Sequence, residues 1–148
     1  HSTVAVQPGC SPARMRQTPT MAKRLNISGG GPLETVAGYS RAVRVGNHVA
    51  VAGTTTLTGD GVLYPMDCYE QTRETLAIVG RALEAAGASF GDVVRTRAFI
   101  TDITMSEDFM RAHGEVFADI RPVATLVEVS ALVHPDLVIE IEIDAIVG

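Results

Sequence analysis

A chain of 148 residues with 46% apolar and 20% charged residues is globular, with room for one core and too little length for two ordinary domains. Its net charge of −5 excludes a global pull toward nucleic acid or an anionic membrane surface, and no apolar run approaches the roughly 20 residues of a membrane span. Two cysteines, Cys10 and Cys68, exclude a disulfide framework, which makes a reduced, cytoplasmic setting the expectation.

Residues 1–20 carry Pro8, Pro12 and Pro19 among scattered Ser, Thr and Gln, without periodicity. They read as an upstream extension or an expression remnant ahead of Met21, and not as a signal peptide, since they lack an apolar core. The domain is expected over residues 21–148. Lys23 to Ile27 predicts a short edge strand, stopped by Gly29-Gly30-Gly31-Pro32. Two further strands, from Arg41 to Val45 and from His48 to Ala52, are joined at Gly46-Asn47, a tight hairpin signal. Gly53 ends the second of them, and Thr58-Gly59-Asp60-Gly61 forms a loop.

Asp67 opens a helix as N-cap, with Glu70 completing a capping pattern. Tyr69, Thr72, Leu76, Val79, Leu83 and Ala86 give that helix one apolar stripe, and Gly87 stands where a C-terminal glycine belongs. A strand follows from Asp92 to Ile100. Thr104 and Glu107 repeat the capping pattern and predict a second helix with Phe109, Ala112, Val116 and Phe117 on its buried face. Arg121-Pro122 stops that helix.

The remainder holds two β-rich runs around a break at His134-Pro135-Asp136. In the second run Ile139, Ile141, Ile143 and Ala145 point one way, and Glu140, Glu142 and Asp144 the other. Three carboxylates on one strand face repel one another, so that face is solvated, matched by basic partners, or part of a site. The order β-β-α-β-α-β-β, with one apolar face per helix, predicts a single mixed sheet with both helices on one side. Leu126, Leu132 and Val138 are candidates for the other side, whose apolar part a second subunit would bury.

Several ordered blocks resemble the Rid family, also called the YjgF family. They are Gly38-Tyr-Ser-Arg-Ala-Val-Arg-Val-Gly-Asn-His-Val-Ala-Val-Ala-Gly53, Glu70 to Leu76, Leu83 to Ser89, Asp92 to Asp102, Arg121 to Val129 and Val138 to Glu142. The resemblance runs from about Leu25 to Val147. It implies an α+β, chorismate-mutase-like subunit in a homotrimer, with the sheets forming a central β-barrel and three clefts between subunits. For archetypal members it also implies hydrolysis of imines or enamines to keto acids and ammonia without a cofactor. The tyrosine of the family cleft falls on Tyr39 and its glycine on Gly53. The family glutamate falls on Glu140, or on Glu142 with a shift of two residues that keeps it on the same strand face. Pro122-Val-Ala-Thr125 departs from the family's Pro-Ala-Arg-Ser and places Ala124 where an arginine would clamp a substrate carboxylate. Arg121 leaves the strand on the opposite face, and Met110 stands nearest a missing helix asparagine.

Each candidate has a structural reading beside its functional one. Tyr39 is a site hydroxyl or an aromatic at a strand entrance. Glu140 is the acid of a cleft or a strand carboxylate paired with Arg95 or Arg97. Thr54 and Thr125, with Ala124, line the cleft, or the threonines are ordinary strand residues. Cys68 has no adjacent histidine and reads as structural. His48, His113 and His134 lack ligand spacing, so neither metal nor cofactor is expected. With no basic stripe and 5% aromatics, no nucleic-acid partner is expected, and neither is a membrane. The reading that follows is a homotrimeric small-molecule hydrolase of enamine/imine deaminase type, its substrate altered by the loss at Ala124. The alternative is a non-catalytic metabolite-binding or regulatory trimer using the same cleft, and a third reading is a partner that stabilises other enzymes.

Overall fold

The structure is a computed structural model that describes Gly9 and residues 23–148. The tail of residues 1–20, with Cys10, lies outside the described residues apart from Gly9. Strand β1 is Arg24–Ile27, followed by a five-residue helix α1, Leu33–Ala37. Strands β2, Ala42–Val45, and β3, His48–Thr54, form the predicted hairpin, and Gly46 at its turn has φ +61°, a conformation that glycine adopts without steric cost. Two-residue strands β4, Leu57–Thr58, and β5, Gly61–Val62, make a small separate ribbon. Helix α2 is Cys68–Ala85, β6 is Val93–Ile100, α3 is Ser106–Phe117, β7 is Val123–Glu128 and β8 is Ile139–Ile146.

Asp67 caps α2 as its position predicts, accepting the Glu70 N–H. At the other end Ala86 is the C-cap, and Gly87 follows it with φ +76°. Arg44 on β2 closes that end by donating from Nη1 to the Ala86 carbonyl at 2.8 Å, which places a cation on the negative pole of the helix. The second capping signal resolves differently. Asp102 accepts from the Thr104 N–H and from its hydroxyl, so the chain first makes a 3-10 turn, Ile103–Met105. Helix α3 then begins at Ser106 with no side-chain cap. Helix α1 is not expected from the glycine-rich stretch; Pro32 starts it and Gly38, in the left-handed conformation, ends it.

Six strands form one mixed sheet in the order β1-β2-β3-β8-β6-β7. The two C-terminal runs are therefore not neighbours. Strand β6 separates them, antiparallel to β8 and parallel to β7. One face of the sheet is closed. Val49 and Val51 of β3, Thr96, Ala98 and Ile100 of β6, and Ile139, Ile141 and Ile143 of β8 are all buried, with Leu76, Val79 and Leu83 of α2 and Phe109 and Phe117 of α3 in the same core. Burying each large aliphatic side chain contributes about 1.5–3 kcal/mol before entropy is counted.

The opposite face is open. The outward candidates are corrected here, because Val138 is fully buried and Leu126 pairs with Ala98 on the helix side, while Leu132 is half-buried. The open face instead draws its apolar part from Phe99, Val123, Val127, Val43 and Val45.

Gln71 joins the helical layer to the break before β8. Fully buried, it donates from Nε2 to the carbonyls of Tyr64 and Asp136, and its Oε1 accepts the Val138 N–H.

Candidate functional site

The acidic face of β8 divides into two parts. Pairing with β6 sets Glu142 opposite Arg97 and Asp144 opposite Arg95. Arg97 Nη1 reaches Glu142 at 2.8 Å, and Arg95 and Arg97 each approach Asp144 at 3.8 Å. The basic-partner reading therefore holds for these two acids. Glu140 is different, since its neighbour on β6 is Phe99. Among the described residues Glu140 has no ion-pair partner. Burial pushes its carboxyl pKa above the ordinary value, with Glu142 adding to the rise and the Arg41 charge opposing it.

Gly53 is what allows Glu140 to lie where it does. A Cβ on Gly53 would stand 3.1 Å from Glu140 Cδ and 3.3 Å from Oε1, so the carboxyl occupies the space that a side chain would need. Beside them lies Arg41, which the sequence reading passed over. Its Nη1 donates to the Gly53 carbonyl at 2.8 Å and to Thr54 Oγ1 at 2.9 Å. The Thr54 hydroxyl in turn donates to the Ala52 carbonyl at 2.7 Å. Thr54 is buried and its hydroxyl committed, so it braces Arg41 instead of lining an open cleft. The Gly53 carbonyl is likewise already engaged.

Tyr39 is exposed at the entrance to β2, and the Arg41 guanidinium lies 5.8 Å from its ring centroid. The loop before α1 walls the other side, where a Cβ on Gly29 would stand 3.3 Å from Arg41 Nε. That loop is held by the buried Glu34, whose carboxylate accepts the N–H groups of Gly29 and Gly31 at 3.0 and 2.8 Å. The Gly31 hydrogen bond heads the causes that lower the Glu34 pKa, against the opposing effect of burial. Arg41 was findable from the sequence. A two-residue turn at Gly46-Asn47 fixes the hairpin register and sets Arg41 opposite Ala52, next to Gly53.

The fold therefore gathers Tyr39, Gly53, Thr54 and Glu140 around Arg41. It does not bring Ala124 and Thr125 to them. Thr125 shares the open face but pairs with Arg97, in the row of Glu142, and β7 is an edge strand beyond β6. Ala124 pairs with Thr96 and so lies on the helix side of the sheet. Cys68 is buried with its Sγ 3.7 Å from the Met105 carbonyl, and burial pushes the thiol up to about 11, which suits a structural cysteine. Among the described residues no group of three or more His, Cys, Asp or Glu side chains is placed to hold a metal ion, and no helix is long and apolar enough to cross a membrane.

Fold and site together define an α+β protein that keeps one carboxyl unpaired and half-buried on the open face of a mixed sheet. A family model described as Endoribonuclease L-PSP matches residues 31–147. A structure titled as a member of the YjgF/YER057c/UK114 family from Mycobacterium tuberculosis is 46% identical with a TM-score of 0.77, over 84% of this chain and 100% of that one. A RutC family protein of Pyrococcus abyssi is 32% identical over 123 residues, 82% of this chain and 95% of its own length. A Yersinia pestis protein titled as belonging to the conserved Rid family is 29% identical with a TM-score of 0.74, over 84% of this chain and 100% of that one. The chain belongs to the Rid (YjgF) family and has its chorismate-mutase-like fold.

Proposed function

We propose that the chain is a small-molecule hydrolase of the enamine/imine deaminase type, built as a homotrimer whose clefts bring Glu140 of one subunit toward the β7 edge of the next. The observation that carries this reading is Glu140 itself. Of three acids on one strand face it alone lacks an arginine opposite, and burial holds its carboxyl nearer to neutrality than an ordinary glutamate. A carboxyl with a raised pKa keeps its proton for donation to higher pH, and in its ionised form it is a stronger base than an ordinary glutamate.

In the reaction water adds across the C=N bond, with Glu140 taking a proton from the attacking water and returning one to nitrogen. The carbinolamine then collapses to a carbonyl compound and ammonia. The sum is an imine plus water giving a carbonyl compound plus ammonia, with no redox change and no cofactor. Tyr39 would hold the substrate from the entrance of β2. Since Ala124 stands where the family's arginine belongs, the substrate would be a compound other than an α-imino acid. The location would be cytoplasmic.

The assay is ammonia release from imines generated in situ, with Glu140→Gln as control. Release that depends on Glu140 from an imine lacking an α-carboxylate supports the proposal. Rapid Glu140-dependent release from 2-iminopropanoate would sink the altered-substrate part. Absence of Glu140-dependent release from every imine tried leaves the second reading, a metabolite-binding or regulatory trimer, which the methyl group at Ala124 favours.

The family model's description names an endoribonuclease. A chain of net charge −5 whose Arg95 and Arg97 are paired with Asp144 and Glu142 offers little to a phosphate backbone.

A further inference from the structure

We infer that Arg41 is the anion-recognising group of this site and that it takes a small molecule whose carboxylate is set apart from its carbonyl or C=N carbon. The inference rests on the proposed function for the place of the reacting bond, beside Glu140, and adds to it the substrate's charged end.

A guanidinium has two edges, and the structure uses only part of this one. Nη1 is spent on the Gly53 carbonyl and the Thr54 hydroxyl. Among the described residues nothing accepts from Nε or Nη2, and Arg41 has no ion-pair partner. The group is nevertheless fixed. Thr54 is itself anchored on Ala52, Tyr39 lies beside the guanidinium, and Gly29 packs against its stem in a loop that Glu34 holds. A planar donor pair held in place, with N–H groups that no protein atom takes among the described residues, is the arrangement that binds a carboxylate with little further loss of entropy.

The placement of the two charges gives the ligand its shape. Arg41 and Glu140 both border Gly53, Arg41 at its carbonyl and Glu140 over its Cα, yet they form no ion pair with each other. A ligand that spans them presents its carboxylate to Arg41 and its reacting carbon to Glu140, so the two ends are separated by at least part of a chain. This supplies from β2 the anion recognition that the family motif would supply from the start of β7, where this chain has Ala124.

Levulinate, with two methylenes between ketone and carboxylate, is a suitable probe, and its neutral amide is the control. Binding is followed by NMR line positions or calorimetry at millimolar ligand. The unaltered protein is expected to bind levulinate at least about tenfold more tightly than the amide, a difference of about 1.4 kcal/mol. Arg41→Gln should abolish that preference, and Arg41→Lys should keep part of it. Equal binding of acid and amide by the unaltered protein, binding of neither, or a preference that survives in Arg41→Gln would each overturn the inference. The first two outcomes need no variant, so misfolding cannot mask them. Arg41-dependent binding without any Glu140-dependent ammonia release would sink the hydrolase reading alone, and turnover indifferent to Arg41 would sink this one alone.

Discussion

The Glu140 carboxyl fills the space beside Gly53 that a side chain would occupy, with Cδ 3.1 Å from the position of a Cβ. The contact links a backbone feature of β3 to the one unpaired acid of β8. Gly53→Ala should therefore separate stability from function. The atoms in the way are the end of a flexible side chain, which can swing aside, and alanine in a strand recovers about 0.5–1 kcal/mol of backbone entropy. Chemical denaturation should show a change within about 1 kcal/mol. Ligand binding and any ammonia release should fall by about tenfold or more, because a shift of an ångström at a proton-transfer group is felt strongly. A variant that binds and turns over normally would show that the carboxyl position does not matter.

Glu140 also predicts a pH dependence of stability. Its folded-state pKa lies above the ordinary value, mainly through burial. Between the unfolded value and the raised folded value the native state holds more protons than the unfolded state, so stability falls as pH rises through that window. The contribution is fully present in acid and lost above the folded pKa. Glu140→Gln removes the ionisation, so this variant should be as stable as the parent in acid and more stable at neutral pH. Denaturation curves at several pH values check it, and a variant less stable at neutral pH would show that the charged carboxylate is held by favourable contacts.

The alternation from Ile139 to Ala145 made the faces of β8 legible, since a period of two needs no knowledge of partners. What it left open was the neighbour. Whether an acid on that face is matched depends on β6 entering between β7 and β8, and neither run encodes that insertion. The register then gives arginines to Glu142 and Asp144 and a phenylalanine to Glu140. Arg41 was legible in principle from the hairpin turn but carried no signal of its own, because its role comes from Gly53 and Thr54 across the ribbon. The cap at Asp102 shows local competition, in which the earlier acid took the amide and the N-cap of α3 moved one residue on, from Thr104 to Met105. Ala124 falls on the helix side of an edge strand, so its relation to a cleft is a matter of assembly.

Gln71 predicts a large stability effect away from the site. Its three hydrogen bonds satisfy the carbonyls of Tyr64 and Asp136 and the N–H of Val138. Gln71→Leu fills a similar volume but takes the acceptor from the buried Val138 N–H, whereas the carbonyls of Asp136 and Tyr64 keep the N–H groups of Met66 and Asp67. The expected cost is about 1–3 kcal/mol, the penalty for leaving one buried donor unsatisfied. Faster hydrogen exchange at Val138 should accompany it, and a loss below about 1 kcal/mol would mean that water replaces the side chain.

Cys68 should resist alkylation in the folded protein. It is buried beside Met105, and burial raises its thiol to about 11, so the reactive thiolate is scarce at pH 8 and sheltered from reagent. Peptide-level mass spectrometry after iodoacetamide treatment should find the Cys68 peptide unlabelled until denaturant is added. Ready labelling under native conditions would mean that the first turn of α2 opens on its own.

Gly80 provides the opposite test to Gly53. It lies within α2, where alanine would normally stabilise by about 1 kcal/mol. A Cβ there would come 2.8 Å from Phe90 Cζ and 2.9 Å from Cε2. The ring cannot swing away as a carboxyl can, because it packs edge-on against Phe117, with centroids 5.6 Å apart at 89°. Moving it disturbs the Phe117 contact and the 3-10 turn, Phe90–Asp92, that leads into β6. Overpacking of this kind costs about 1–3 kcal/mol and should outweigh the helix gain. Gly80→Ala is therefore expected to destabilise by about 1 kcal/mol, and Gly80→Ala with Phe90→Leu to recover most of that loss. Denaturation of both variants decides it: a stabilised single variant would show that Phe90 yields freely.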